Sequence, residues 1–452
     1  MVALRDGRDA FAARALLADA ADRTLDVQYY IWRGDMSGTL MFDALRRAAD
    51  RGVRVRLLLD DNNTSGLDSV LAALDAHPNI EVRLFNPFKH RRWRVLDFLT
   101  DFSRVNRRMH NKSFTADNEV TIVGGRNVGD EYFGATHDVL FVDLDVLAIG
   151  PVVNSVSRDF DRYWSSKSAY AAKRVLPEVS KSSIKGVAAA AERVEQDPAS
   201  RAYLEALERQ PFVRELLAKT VHVEWAVASM VSDDPAKGLG AARDDTLLWH
   251  RLRELFGAPA REMNLISPYF VPGSAGVDYF RGLASRGVKI RILTNALEAT
   301  DVAAVHAGYA KRRKPLLRAG ITLFEMKRAS PVVPGEKASG GSSGSSLHAK
   351  TFAIDRSLVF VGSFNFDPRS ARLNTELGFV IASPAVAQTL ADTFAATIPN
   401  RAYELRLSDD GALTWADGRE IGDSVYVREP GVGFWRRFEV TLLSHLPIEW
   451  LL

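Results

Sequence analysis

"RMHNKSFTAD" at residues 108–117 and "SLHAKTFAID" at 346–355 each set His, Lys and Asp in the order H-x-K-x4-D. One such pattern is a weak signal, ordinarily the polar edge of a half-exposed strand. Here the register continues. His110 is followed by Lys112, Asp117, Gly124, Asn127 and Asp138, and His348 by Lys350, Asp355, Gly362, Asn365 and Glu376 at the same offsets. Six matched positions, the last an acid in both, mark an internal repeat.

The flanks upstream agree. "LDVQYYIWRGDMSGTLMFDALRRAADRGVRVRLLLD" (25–60) parallels "MNLISPYFVPGSAGVDYFRGLASRGVKIRILTN" (263–295). Each reads as a strand, a loop, a helix ending near Arg-Gly and a β-branched strand, with Gly52 and Gly287 where a helix C-terminal glycine belongs. Alternating strand and helix patterns predict two α/β lobes with mixed sheets flanked by helices, related by a pseudo-twofold axis. The expected division is a first lobe over 1–165, a charged helical connector over 166–245, a second lobe over 246–400 and an extension over 401–452. "PGEKASGGSSGSS" (334–346) reads as a Gly/Ser-rich surface loop or a flap over the site.

Composition narrows the class. The 452 residues, 46% apolar and 25% charged, carry a net charge of only +3, which does not single out nucleic acid as a partner. With no cysteine, disulfides, thiolate metal sites and cysteine nucleophiles are excluded. No run of about 20 apolar residues exists to span a bilayer. The longest candidate, "VLFVDLDVLAIGPVV" (139–153), is broken by Asp143 and Asp145 and reads as a buried strand with a turn. The first residues read as an amphipathic helix without an apolar signal core, so either the protein is cytoplasmic or a leader is missing.

The motif residues suggest a chemistry. On a strand, residues two apart share a face, so each imidazole projects beside a lysine. That pair suits a phosphate: lysine neutralises oxygens, while imidazole attacks phosphorus or passes a proton. Two copies across a twofold axis place two imidazoles and two lysines around one phosphate. One histidine then forms a phosphohistidine while the other protonates the leaving alcohol and later deprotonates an incoming water or alcohol. Lysines and asparagines stabilise the non-bridging oxygens, so neither metal nor cofactor is expected. Each imidazole needs its far nitrogen held by a carboxylate, and Asp138 and Glu376 stand at the matching offset. Asp117 and Asp355 complete the motif as turn or scaffold residues rather than as proton carriers.

The duplicated motif resembles the phospholipase D superfamily, over most of residues 1–400. The resemblance implies His110 as nucleophile, His348 as general acid and base, and Lys112, Lys350, Asp117 and Asp355 in the catalytic set, with Asn127, Asn365 and Ser363 at the phosphate. Where that superfamily often has Gly-Ser, the second half keeps Gly362-Ser363 but the first has Gly124-Gly125 and lacks the hydroxyl. "GGRNVGDEYFG", "SPYFVPG", "GSFNFDPRSARLNTE" and "LPIEWLL" are similar to bacterial cardiolipin synthases, in particular their C-type branch. That implies transfer of a phosphatidyl group to phosphatidylglycerol from a second phosphatidylglycerol or from phosphatidylethanolamine. It also implies peripheral attachment to the bacterial inner membrane, although the anchor or leader common in that family is absent from this chain.

Residues 85–108 interleave Phe88, Trp93, Phe98 and Phe102 with Lys89, Arg91, Arg92, Arg94, Arg104, Arg107 and Arg108. This composition suits an anionic lipid surface, although a nucleic-acid backbone or bulk solvent would also satisfy the charges. The apolar end "GVGFWRRFEVTLLSHLPIEWLL" either docks on a membrane or completes the second lobe's core. A phospholipase D hydrolase, or a phosphodiesterase acting on DNA, would share the same intermediate. A non-catalytic binding module has no need of two histidines with matched acids.

Overall fold

The strand–helix alternation in each half folds onto its own sheet. The computed structural model describes residues 1–136, 140–328, 345–418, 424–447 and 449–452. Among these, the first lobe carries β1 (Val2–Leu4), β2 (Thr24–Ile31), β3 (Arg54–Asn63), β4 (Ile80–Phe85), β5 (Ser113–Ala116), β6 (Val120–Gly124), β7 (Leu140–Val142), β8 (Asp145–Ile149) and β9 (Ala169–Ala171). The second carries β10 (Val227–Ser232), β11 (Glu262–Ile266), β12 (Lys289–Asn295), β13 (Thr322–Met326), β14 (Ser345–Leu347), β15 (Thr351–Ile354), β16 (Leu358–Gly362), β17 (Leu377–Ala382), β18 (Ala402–Leu407), β19 (Leu413–Asp417) and β20 (Ser424–Tyr426).

The two sheets share one wiring. The first runs β1-β8-β6-β5-β2-β3-β4-β9 and the second β10-β17-β16-β15-β11-β12-β13-β18-β19-β20. In each, a parallel triplet (β2-β3-β4, β11-β12-β13) joins an antiparallel hairpin (β5-β6, β15-β16), so both sheets are mixed. The central strands are buried on both faces, and Leu25, Val27, Leu57 and Leu59 are matched in the second core by Met263, Leu265, Ile290 and Ile292. A third core of Val123, Val146, Val361 and Phe379 lies where the lobes meet.

The elements cross the boundaries expected from sequence. Within 166–245, helices Ile184–Gln196 and Pro198–Glu208 bury Val187, Tyr203 and Leu207 in the first core, and β10 forms the edge of the second sheet. Charge at helical spacing hides this, because a helix needs only one narrow apolar stripe to dock. Past residue 400, β18–β20 extend the second sheet. The expected flap lies, over 334–344, outside the described residues.

Each lobe also pairs its backbone with the other. β14 pairs in parallel with β7 of the first lobe, and Met109 forms the matching bridge to Thr375 of the second. These pairings deliver His348 and His110 to one interface: His348 N–H donates to Val142 O at 2.8 Å and His110 N–H to Thr375 O at 2.9 Å.

Candidate active site

The motif aspartates explain the hairpins. Asp117 and Asn118, like Asp355 and Arg356, have φ between 52° and 56°. Two successive left-handed residues match the tight turn required between β5 and β6 and between β15 and β16, and Asp tolerates that conformation better than most residues. The Asp117 carboxylate accepts from the backbone N–H groups of Asp22, Arg23 and Thr24 at 2.8–2.9 Å, and Asp355 from those of Ala260, Arg261 and Glu262 at 2.7–2.9 Å. Burial raises both carboxyls, but these donors outweigh it and hold them below the usual range. Their place in the catalytic set is therefore corrected. They tie each hairpin to the start of β2 or β11, as scaffold.

His110 and His348 line one cavity of about 880 Å³, together with Asn127, Asn365, Tyr132 and Arg369. Tyr30 stands edge-on to His110 at 4.9 Å and Tyr132 edge-on to His348 at 5.2 Å. The imidazoles are held by carboxylates from the opposite lobe. Glu376 Oε2 lies 2.8 Å from His110 Nδ1, and Asp143 Oδ2 lies 2.5 Å from His348 Nδ1. Each bond leaves Nε2 as the nitrogen free for chemistry.

Asp138 lies outside the described residues. The acid on His348 is Asp143, five residues further along. Strand pairing shows why the offset misled. Gly124 pairs with Asp145 and Gly362 with Gly378, so Asp143 and Glu376 occupy equivalent places just before β8 and β17. The first lobe has extra residues between Asn127 and that strand, so counting from the histidine overshoots. The usable signal was an acid inside an apolar run, "VLFVDLDVL".

Ser363 is also corrected. Its hydroxyl donates to Glu376 Oε2 at 2.5 Å, and Leu377 N–H donates to it at 3.0 Å, so it is spent on positioning the carboxylate rather than on the cavity. Its counterpart Gly125 is glycine for a steric reason: a Cβ there would collide with the Asp143 carboxylate. Asn127 Oδ1 accepts from Ile31 N–H at 3.0 Å and its amide donates to Tyr132 Oη at 3.0 Å. Asn365 Oδ1 is buried with no partner among the described residues.

Lys112 and Lys350 are almost fully buried, 1% and 2% exposed, and donate to the backbone carbonyls of His110 and His348. Lys350 Nζ also lies 3.1–3.3 Å from the His348 ring nitrogens. Burial brings Lys350 down to about 8, and it holds Lys112 well below the lysine range against the pull of Glu376. Burial, reinforced by both lysines, keeps His110 well below its ordinary value. Burial and Lys350 lower His348 to about 4, against the pull of Asp143. Both imidazoles are therefore neutral near pH 7.

The two carboxylates differ. Burial pushes Glu376 up to about 7, only partly opposed by Lys112 and the Ser363 hydroxyl. Burial would raise Asp143 too, but His348, Lys350 and Arg126 outweigh it and hold the carboxyl well below its usual range. Charged neighbours decide the matter at Asp143, burial at Glu376. Arg126, buried, donates to the Asp143 backbone carbonyl at 2.6 Å. Behind Glu376 sits another acid: Asp233 accepts from the Glu376 N–H at 3.0 Å and is paired at 2.8 Å with Lys237.

Two groups of exposed apolar side chains stand on elements outside the cavity lining. One is Trp93, Val95, Leu96, Leu99 and Phe102, the other Phe434, Trp435, Phe438 and Leu442. The arginines around the first patch are largely engaged inside the protein. Arg91 pairs with Asp61 and Asp68, Arg104 with Asp101 and Arg108 with Asp60, while Phe88 is buried against Arg94 and Arg108. The helix Phe434–Ser444 buries Val440 against Ala303 and Ala307 and turns its aromatic face outward. No helix among the described residues is long and apolar enough to cross a membrane.

The family described as cardiolipin synthase, phospholipase D-like domain, matches residues 15–164 and 252–398. Cardiolipin synthase C of Escherichia coli (strain K12) is 52% identical, over 99% of this chain and 95% of its own length. The major cardiolipin synthase ClsA of Bacillus subtilis (strain 168) is 25% identical, over 86% of this chain and 67% of its own. Among solved structures, phosphatidylserine synthase of Haemophilus influenzae superposes with a TM-score of 0.61 at 12% identity, covering 100% of this chain and 94% of that one, a likeness of fold.

Proposed function

The chain belongs to the cardiolipin synthase family of phospholipase D-like proteins, and we propose that it is a phosphatidyltransferase that joins a phosphatidyl group to the headgroup hydroxyl of phosphatidylglycerol. One observation carries the mechanism: each lobe contributes a histidine to one cavity and the carboxylate that orients the other lobe's histidine.

His110, neutral in its buried setting, attacks the phosphorus of a donor phospholipid through Nε2. The P–N bond forms as the bond to the headgroup oxygen breaks, and His348 delivers a proton to that oxygen, releasing glycerol or ethanolamine. His348 is neutral in the unliganded site, but the bound phosphodiester anion offsets Lys112 and Lys350 and raises it toward its protonated form. Neutral His348 then takes the proton of the acceptor hydroxyl, whose oxygen attacks phosphorus as the P–N bond breaks. Lys112, Lys350 and Asn365 stabilise the charge that gathers on the non-bridging oxygens. Phosphatidylglycerol is both donor and acceptor in the simplest cycle, with phosphatidylethanolamine a second donor.

The two apolar patches hold the protein peripherally on the bacterial inner membrane, with the amphipathic helix Phe434–Ser444 lying in the interface. With most arginines of 85–108 paired internally, this docking rests on apolar insertion more than on charge. Incubation with phosphatidylglycerol vesicles, with and without phosphatidylethanolamine, beside His110→Ala, tests the reading by mass spectrometry. Cardiolipin from the intact enzyme and none from the variant is the expected result. Phosphatidic acid without cardiolipin would make the enzyme a hydrolase.

A further inference from the structure

A second hollow, of about 800 Å³, lies in the C-terminal lobe and has no part in the histidine chemistry. Its walls are mostly apolar, among them Trp249, Leu252, Phe256, Met263, Phe352 and Phe364, with charged side chains such as Arg253, Arg312 and Glu449 among the rest. The repeat explains why it is empty here and not in the first lobe. After edge strand β1, the helix Gly7–Ala20 runs fourteen residues and buries Phe11 on the sheet. Arg14 and Arg126 fill the remaining space, both paired with Asp145. After edge strand β10, the corresponding helix Leu248–Phe256 has only nine residues. Phe364 stands at the position of Arg126, and Gly378 at that of Asp145. The shorter helix and the missing charges leave an open, apolar space where the first lobe has solid packing.

That space adjoins the catalytic cavity. Asp367 lines both, and the segment that supplies Leu451 and Leu452 to the one supplies Glu449 to the other. At the opposite end, Arg253, Gly257 and Tyr279 continue into a surface depression that also holds Arg286. The hollow thus runs from behind the phosphate site to a rim bearing Arg253 and Arg372. Its volume falls in the range of roughly 300–1,000 Å³ typical of ligand cavities.

We propose that this hollow is an acyl-chain site, which takes one fatty-acyl chain of a phospholipid substrate while its phosphate lies at the two histidines. The proposal rests on the phosphatidyl-transfer reading. Uncompensated apolar surface beside a lipid phosphate gains most from a hydrocarbon chain, and cations at the rim favour an anionic lipid.

Two measurements test it. Ala275 faces the mouth from an exposed position on the helix Gly273–Ala284, so Ala275→Trp narrows the hollow without entering the core. The preference for dioleoyl over dihexanoyl phosphatidylglycerol, as the ratio of their kcat/KM values in mixed micelles, should fall about tenfold. A ratio equal to that of the unsubstituted enzyme would overturn the proposal. The second measurement is independent of turnover. In His110→Ala protein, phosphatidylglycerol with brominated acyl chains should quench a component of tryptophan fluorescence that disappears in His110→Ala/Trp249→Phe. Equal quenching with and without Trp249 would also overturn it. Quenching at Trp249, with no cardiolipin made by the unsubstituted enzyme, would retain the acyl site and remove the transfer reading instead.

Discussion

The two half-sites start from the same eight-residue motif, H-x-K-x4-D, and end in different electrostatic states. Around His348, a short acid, Asp143, is backed by a buried arginine and stays ionised. Around His110, a longer acid, Glu376, is pushed up to about 7 by burial, which Lys112 and the Ser363 hydroxyl only partly oppose. Duplication supplies geometry, while the residues behind the carboxylates divide the labour. A fixed anion raises the basicity of the imidazole that must exchange protons; the weaker acid, once ionised, holds the Nδ1–H of the other imidazole and leaves its Nε2 lone pair free to attack.

Exchanging the histidines' fates is the most severe way to break this comparison. His110→Ala should lower kcat by roughly 10⁵-fold, and His348→Ala by roughly 10²–10⁴-fold. A phosphatidyl donor with a nitrophenol leaving group, which needs no proton, separates the roles. A stopped-flow burst of nitrophenolate is expected from His348→Ala and not from His110→Ala, and the reverse pattern would interchange them.

The carboxylates come next. Asp143→Asn should cost roughly 10³-fold in kcat, because the neutral amide both loses the charge and permits the wrong tautomer. Glu376→Gln should cost roughly 10–100-fold, as is usual for an outer partner. The pH dependence sharpens the contrast. Glu376 ionises as pH rises through about 7, orienting His110, and Lys350 loses its proton as pH rises through about 8, no longer countering phosphate charge. The kcat/KM profile should therefore be a narrow bell between these limits. Glu376→Gln should erase the acid limb only. Lys350→Arg, always charged, should remove the Lys350 contribution to the alkaline limb, with kcat reduced about tenfold.

The smallest expected effect on turnover concerns Asp233, a positioning residue that touches Glu376 through the backbone. Asp233→Asn should lower kcat about threefold with KM unchanged and move the acid limb down, since a neighbouring anion no longer opposes ionisation of Glu376. Lys237→Met leaves the buried Asp233 unpaired and should cost roughly 3–5 kcal/mol in urea unfolding. An Asp233→Asn variant with unaltered pH limits would confine the pair to a structural role.

Much of this architecture was legible in the chain. The repeat, its strand–helix alternation and the paired histidines and lysines follow from local patterns, because strand period, helix stripe and turn chemistry are properties of neighbouring residues. The charged interval 166–245 was harder to read. Its docking stripe is narrow, and the partner surface lies far away in sequence. Asp143 shows the same limit from the other side. Its interruption of an apolar run was visible, but its partner, His348, belongs to the other lobe and no spacing rule reaches across.

By itself, then, the sequence determined that two α/β halves would each bring a histidine and a lysine to a strand, since those outcomes depend on residues a few positions apart. Only the tertiary structure decided that each lobe orients the other's histidine, that Asp117 and Asp355 anchor their hairpins to the starts of β2 and β11, that Asp143 is held ionised while Glu376 is pushed up to about 7, and that a short helix leaves an apolar hollow beside the site. All of these depend on groups distant in the chain sharing a low-dielectric interior, where burial and one neighbouring charge settle which protons stay.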